Sequence, residues 1–315
     1  MSLKLAVIGA GVMGVNHARV ITESRRAELS VVIDTDLRRA KEVALATGSK
    51  ASARLDPATG CDAAIVSSPT DTHVEVAMTL LEAGVPLLIE KPVALDVDDV
   101  RRVTKESEAR DLPLLCGFVE RFNPVIATAA SLMHEAPTHI LAMRHSPHAA
   151  RVTTSVVYDL LVHDIDLAIR LAGSSTISDI VSATWTPPGS TLREVADCTI
   201  RFDTGHIATL SASRASQRKV RLFNITTPEA LFELDLLRQD ISIYRHVRQE
   251  QLISGATSYR AETIVDIPFV RHAGEPLALQ LEHFLDLVEG VADPSVERDD
   301  IMRPHEVAAV VEASS

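Results

Sequence analysis

"KLAVIGAGVMGVNHARV", Lys4 to Val20, decides the reading of the first half of the chain. A short apolar run with strand character enters G-A-G-V-M-G, and helical character resumes at Val12. Strand, three glycines at this spacing and helix, in that order, match the pattern with which a chain wraps the pyrophosphate of a dinucleotide. Gly9 supplies the tight turn, Gly11 leaves the main chain open to close approach, and Gly14 lets helix and strand pack together. Main-chain amides at the helix start, those of Val12 and Met13 among them, provide the positive end that meets an anion. The alternative is a glycine-rich turn that holds no ligand.

Working outward, short apolar runs alternate with amphipathic stretches from Leu3 to Phe118: "LKLAVIG", "LSVVID", "AAIVSS", "PLLIE" and "LLCGFV" read as strands. Near-continuous rather than alternating apolar runs suit parallel strands covered on both faces by helices. After Asn123 the pattern changes, with a helix near Pro124 to Glu135, a strand near His139 to Arg144 and a helix from Asp159 to Leu171. Six strand segments then follow, "DIVSATW", "DCTIRF", "HIATLSA", "KVRLFNI", "ALFELDL" and "DISIYR", parted by turn residues such as Pro187, Pro188, Gly189 and Gly205. "EPLALQLEHFLDLVEG" and "PHEVAAVVEA" close the chain as helices. The expected fold is α/β: a Rossmann doubly wound parallel sheet in residues 1–120, followed in residues 121–315 by an α+β domain with a mostly antiparallel open sheet.

Composition narrows the function. A chain of 315 residues with 31 Lys plus Arg against 43 Asp plus Glu carries a formal charge of −12, which repels nucleic acid and anionic membrane surfaces. Only 7 Phe, 3 Tyr and 1 Trp leave little material for stacking bases. Cys61, Cys116 and Cys198 are odd in number and far apart, so neither a disulfide framework nor a thiolate metal site is expected. With a strand at the very start and no long apolar run, the expectation is a cytoplasmic protein that does not enter a membrane.

Three further stretches carry chemistry. Asp34 ends "LSVVID", where a carboxylate accepts from both adenosine ribose hydroxyls; this favours NAD over NADP, with Arg38 and Arg39 one turn on as a partial offset. Alternatively Asp34 caps the next helix, a role Asp36 fills equally well. "LLIEKPVA" puts Glu90, Lys91 and Pro92 at the carboxyl end of a strand, where open α/β sheets bind ligands, and Pro92 restrains Lys91 to extended geometry. In "YDLLVHDIDLAIRLAG", Asp159 and His163 are four residues apart on one helix face, with Asp166 three beyond. Such a pair exchanges a proton near neutral pH; the bland reading is a capping aspartate and a packed histidine. No metal is expected: His163, Asp164 and Asp166 point in different directions around a helix, and His145 and His148 flank Pro147 in a loop.

The glycine stretch, "SSPTDTHVEVAMTLLEAGVPLLIEKPVA" and "DLLVHDIDLAIRL" together resemble the glucose-fructose oxidoreductase/inositol dehydrogenase family over nearly the whole chain. The resemblance implies an NAD(P)-dependent dehydrogenase acting on CH–OH groups, with Lys91, Asp159 and His163 catalytic. It implies that Ser68, Pro69, Thr70 and His73 run along the cofactor and that Glu90 and Lys91 adjoin it. It also implies a homodimer or homotetramer joined through the second domain's sheet. "GFVERFNP" and "RHSPHAAR" further resemble the branch containing UDP-N-acetylglucosamine 3-dehydrogenases. Arg121, Asn123, Arg144 and Arg151 are therefore candidates for a nucleotide sugar, since guanidinium forks suit a diphosphate. Arg121 and Arg144 could equally form internal ion pairs, and Asn123 a turn before Pro124. "RVTTSVVY" before Asp159 departs from the glycine-containing segment of relatives, which bears on sugar identity. The expected reaction is reversible oxidation of a sugar secondary alcohol, at C3 of a UDP-linked amino sugar. A free sugar or cyclitol dehydrogenase and a non-catalytic NAD-binding sensor are the alternatives.

Overall fold

The computed structural model describes residues 2–56, 60–148, 154–253, 256–270 and 274–314, which divide into two compact units. In the first, β1 (Leu3–Ile8), α1 (Val12–Glu23), β2 (Ala27–Ile33), α2 (Leu37–Thr47), β3 (Lys50–Ser52), β4 (Ala63–Val66), α3 (Thr70–Glu82), β5 (Leu87–Ile89), α4 (Val97–Ala109) and β6 (Leu114–Cys116) alternate. All five strand pairings are parallel, in the order β3-β2-β1-β4-β5-β6. This is the doubly wound dinucleotide-binding order, with its reversal between β1 and β4. Leu87, Leu88, Ile89 and all of β4 are buried, which explains their unbroken apolar character. Edge strand β3, absent from the sequence reading, has only three residues, none of them buried, and so no apolar signal.

The second unit holds α5 (Pro124–Leu132), β7 (His139–His145), a π turn at Val157–Leu161 that continues into α6 (Val162–Leu171), then β8 (Ile177–Trp185), β9 (Val195–Phe202), β10 (Ile207–Ser213), β11 (Val220–Thr226), β12 (Leu231–Asp235), β13 (Asp240–Ile253) and β14 (Ala256–Asp266). Its eight-stranded sheet runs β14-β13-β12-β11-β7-β10-β9-β8, antiparallel except for the β7/β10 pair. Helices α5 and α6 pack on one face. Alternation along β7 sends Ile140, Ala142 and Arg144 to the covered side and Leu141 and Met143 to the open one. The segment "DISIYR" is the start of β13; the rest of the β13–β14 hairpin, paired from Ile243↔Asp266 to Ile253↔Ala256, carries Gln, Glu and Arg instead of an apolar run and escaped the sequence reading.

From Gly274 to Ala309 the chain belongs with the first unit and from Val310 on with the second, whereas the sequence reading placed all of residues 121–315 in one domain. Helix α7 (Pro276–Val288) buries Leu277, Leu281, Phe284, Leu285 and Leu287 among Leu5, Val7, Ala18, Ile21 and Leu29. On the rim, Arg26 bridges Glu282 at 3.0 Å, Asp286 at 2.7 Å and Glu289 at 2.6 Å. Helix α8 (Pro294–Ala313) starts ten residues before "PHEVAAVVEA" and passes through Pro304 without ending.

Candidate active site

The glycine turn does what its spacing demands. Gly9 has φ +99°, and a Cβ there would lie 2.5 Å from the Ser68 nitrogen. A Cβ on Gly14 would lie 1.8 Å from the Gly9 carbonyl oxygen, so helix and turn touch main chain to main chain. Around Gly11 nothing lies within 4 Å of such a Cβ, which leaves the start of α1 open. These residues sit at the carboxyl ends of β1, β2 and β4, where a cavity of 670 Å³ is lined by Gly9, Gly11, Val12, Met13, Asp34, Ser68 and Pro69. An open first helical turn and an acid at the far end fit an adenine dinucleotide.

Asp34 is not the helix cap. Asp36 takes that role, accepting from the Arg38 amide at 3.0 Å, while the Arg38 side chain holds the Asp36 carboxyl below its ordinary range. The two Asp34 oxygens accept from the amides of Ala10 at 2.7 Å and Asp36 at 2.8 Å, which fixes the carboxylate at the cavity wall. Arg39 lines the same cavity. Ser67, unmarked in the sequence reading, donates from Oγ to the Gly9 carbonyl at 3.1 Å and joins β4 to the glycine turn. Thr72 and Glu75 line the cavity where Thr70 was expected.

His73 and Glu90 belong to the framework, not to the cavity lining. His73 is 1% exposed, with Nδ1 2.9 Å from the Pro92 carbonyl oxygen and Nε2 2.8 Å from that of Ser68. Glu90 accepts from Nε2 of buried His17 at 2.8 Å. Between them Lys91 is half-buried, and the Lys91–Pro92 peptide bond is cis. On the far side, the Val93 amide donates to Nε2 of His305 at 3.0 Å, and His305 Nδ1 donates to the Ile301 carbonyl at 2.7 Å. Burial pushes this imidazole down to about 4.

In the second unit the π turn places Asp159 one step ahead of α6, whose first turn carries buried His163. Asp159 meets an arginine that sequence reasoning passed over. Arg214, 2% exposed just past β10, forks onto Glu194 at 2.9 and 3.2 Å and reaches Asp159 at 3.3 Å. An arginine directly after the apolar strand "HIATLSAS" was the available signal. Asp166 is buried, and Asp164 is held by Arg144 through bonds of 3.0 and 2.7 Å. Among the described residues no group of three or more His, Cys, Asp or Glu side chains could hold a metal ion.

The diphosphate candidates fall differently from expectation. The side chains of Arg121 and Arg144 are both 3% exposed and spent internally, Arg144 on Asp164 and Arg121 on Glu297 at 2.7 Å. Arg121 Nη2 also donates to the Asp300 carbonyl at 3.3 Å. That carbonyl is the one Pro304, lacking an N–H, leaves without a helical donor. Asn123 caps α5, accepting from the Val125 amide at 3.2 Å. Arg151 lies outside the described residues.

A Rossmann sheet with this glycine turn and cavity defines a dinucleotide-binding fold. Residues 3–118 match the description "Oxidoreductase family, NAD-binding Rossmann fold", and residues 126–230 match the "GFO/IDH/MocA C-terminal domain". The chain belongs to the GFO/IDH/MocA family, and it is an enzyme. It is 29% identical to UDP-N-acetylglucosamine 3-dehydrogenase of Acidithiobacillus ferrooxidans, over 91% of this chain and 88% of that one. Myo-inositol dehydrogenase Hyg17 of Streptomyces leeuwenhoekii is 30% identical over 67% and 70% of the two chains. A solved structure of the Acidithiobacillus ferrooxidans dehydrogenase GnnA superposes with a TM-score of 0.84 at 27% identity, covering 99% of this chain and 98% of that one. Among the described residues no helix is long and apolar enough to cross a membrane.

Proposed function

We propose that this oxidoreductase reversibly oxidises a secondary alcohol of a sugar, at C3 of a UDP-linked amino sugar. The observation that carries the substrate reading is the likeness to UDP-N-acetylglucosamine 3-dehydrogenase along nearly the full length of both chains. NAD, when bound, supplies the hydride acceptor. Gly11, Val12 and Met13 hold its pyrophosphate at the start of α1, and Asp34 takes the ribose. Preference for NAD over NADP follows from the Asp34 carboxylate, which would face a 2′-phosphate with like charge.

The chain's own part is proton handling. His163 accepts the hydroxyl proton, Asp159 orients that imidazole, and Lys91 donates to the substrate oxygen as it gains alkoxide character. Arg214 holds the Asp159 carboxylate in one direction. Of the four polar substrate candidates, Arg151 is left for the diphosphate, because Arg121, Asn123 and Arg144 serve the framework. We further place the enzyme in the cytoplasm as a homodimer or homotetramer, supported by a cysteine-poor composition and by the open sheet face bearing Leu141, Met143 and Leu222. Sedimentation checks the oligomer.

Purified protein and NAD, mixed in turn with UDP-N-acetylglucosamine, its uronic acid and free cyclitols, give the test. NADH absorbance should rise with a nucleotide sugar. A rise with cyclitols alone moves the assignment to the second reading, which the likeness to myo-inositol dehydrogenase favours. NAD binding without turnover of any of them leaves a sensor.

A further inference from the structure

Three buried histidines, from three helices, hold three neighbouring residues of the segment Glu90–Val93. His17 of α1 takes the Glu90 carboxylate, His73 of α3 takes the Pro92 carbonyl, and His305 of α8 takes the Val93 amide. With Glu90 and Val93 anchored, the hold on the Pro92 carbonyl fixes the Pro92–Val93 peptide, one residue past Lys91. The second nitrogen of His305 turns back onto its own helix at Ile301, whereas that of His73 crosses to the Ser68 carbonyl. Ser68 lines the dinucleotide cavity, and its Oγ lies 2.7 Å from that of Thr72, another lining residue. A neutral imidazole donates through one nitrogen, a protonated one through both. In either state the ring, 1% exposed, stands between two main-chain carbonyls. A buried polar ring is costly unless such bonds form.

We propose that His73 is a positioning residue, a strut that ties the cavity wall at Ser68 to the turn at Lys91, so that filling the cavity adjusts where the lysine points. The kinetic part of this inference rests on Lys91 acting as read above; the strut itself does not. Two conservative variants separate its arms. His73→Asn sets an amide near Nδ1 and keeps the Pro92 arm, while His73→Gln reaches the Nε2 position and keeps the Ser68 arm.

With UDP-N-acetylglucosamine as substrate, His73→Gln should lower kcat about tenfold while the Kd for NAD, read by calorimetry, moves less than about threefold. His73→Asn should show the opposite split, with the Kd rising more than kcat falls. The second measurement needs no turnover: acylation of Lys91, read on its peptide by mass spectrometry, with and without ADP-ribose, which occupies a dinucleotide site without a nicotinamide ring. In the wild type ADP-ribose should change the rate by about threefold or more, and His73→Gln should abolish the change. Equal losses in kcat and affinity for both variants, or a wild-type acylation rate indifferent to ADP-ribose, would overturn the strut. Absence of turnover in the wild type, with acylation still responding to ADP-ribose, would instead overturn the nucleotide-sugar reading and leave the strut standing.

Discussion

Acidification tests the packing around Lys91 directly, through His305. In the folded protein both ring nitrogens are in use, Nδ1 as donor to Ile301 and Nε2 as acceptor from the Val93 amide. Protonation would turn that acceptor into a donor facing another donor, inside a site closed to water. Burial accordingly lowers the group from 6.5 to about 4. As pH falls, the unfolded chain takes up this proton first, so stability fully present above 6.5 is withdrawn between there and about 4. At roughly 1.36 kcal/mol per pKa unit, the loss is about 2 kcal/mol at pH 5 and about 3 kcal/mol by pH 4. The comparison is His305→Gln, which keeps an acceptor for Val93 and has no titrating proton. Urea unfolding of both proteins near pH 7.5 and pH 5 cancels the carboxylates they share. The stability gap should shift against the wild type by about 2 kcal/mol on acidification. Parallel curves would refute the reasoning.

Replacing His163 by Ala should reduce turnover by at least about a hundredfold while sparing NAD affinity, and Lys91→Ala should do likewise; near-normal kcat in either removes that residue from the mechanism. Lys91→Arg should not rescue the lysine, because a planar fork differs from an ammonium in shape and proton affinity. Gly14→Ala should cost more than about 3 kcal/mol in denaturant unfolding, since the added carbon meets a main-chain oxygen at 1.8 Å. Gly11→Ala, with open space around its Cβ, should keep the melting temperature and lose NAD affinity in calorimetry. The Cys198 thiol, pushed up to about 12 by burial, should stay unmodified by a thiol reagent near pH 8 until the protein is unfolded.

Much of the fold was legible because burial on both faces writes an unbroken apolar run, as in Leu87–Ile89, and because three glycines at one spacing have one geometric use. What escaped lacked such marks. Strand β3, the later part of β13 and β14 are held by main-chain pairing that polar residues supply as well as apolar ones. Pro304 read as a helix boundary because its lost hydrogen bond is visible in sequence, whereas the compensating donor, Arg121, lies 183 positions earlier. Arg121 became a ligand candidate through the resemblance carried by "GFVERFNP", and its ion pair with Glu297 is the alternative the sequence also allowed. The family resemblance placed His73 beside the cofactor, but a helix turns about 100° per residue, and it faces inward from lining residues Thr72 and Glu75. Arg214 went unnoticed because no spacing links it to Asp159, 55 residues before.

The return of α7 and the first part of α8 to the opening unit governs the order of events at the ribosome. Ile21, Leu29 and their neighbours are synthesised early but gain Leu281 and Phe284 only after the entire second sheet has emerged. The dinucleotide-binding half therefore cannot close its core until nearly the whole chain has been made, and the second half needs the last residues too, since Glu312 holds Ser155 and Arg193.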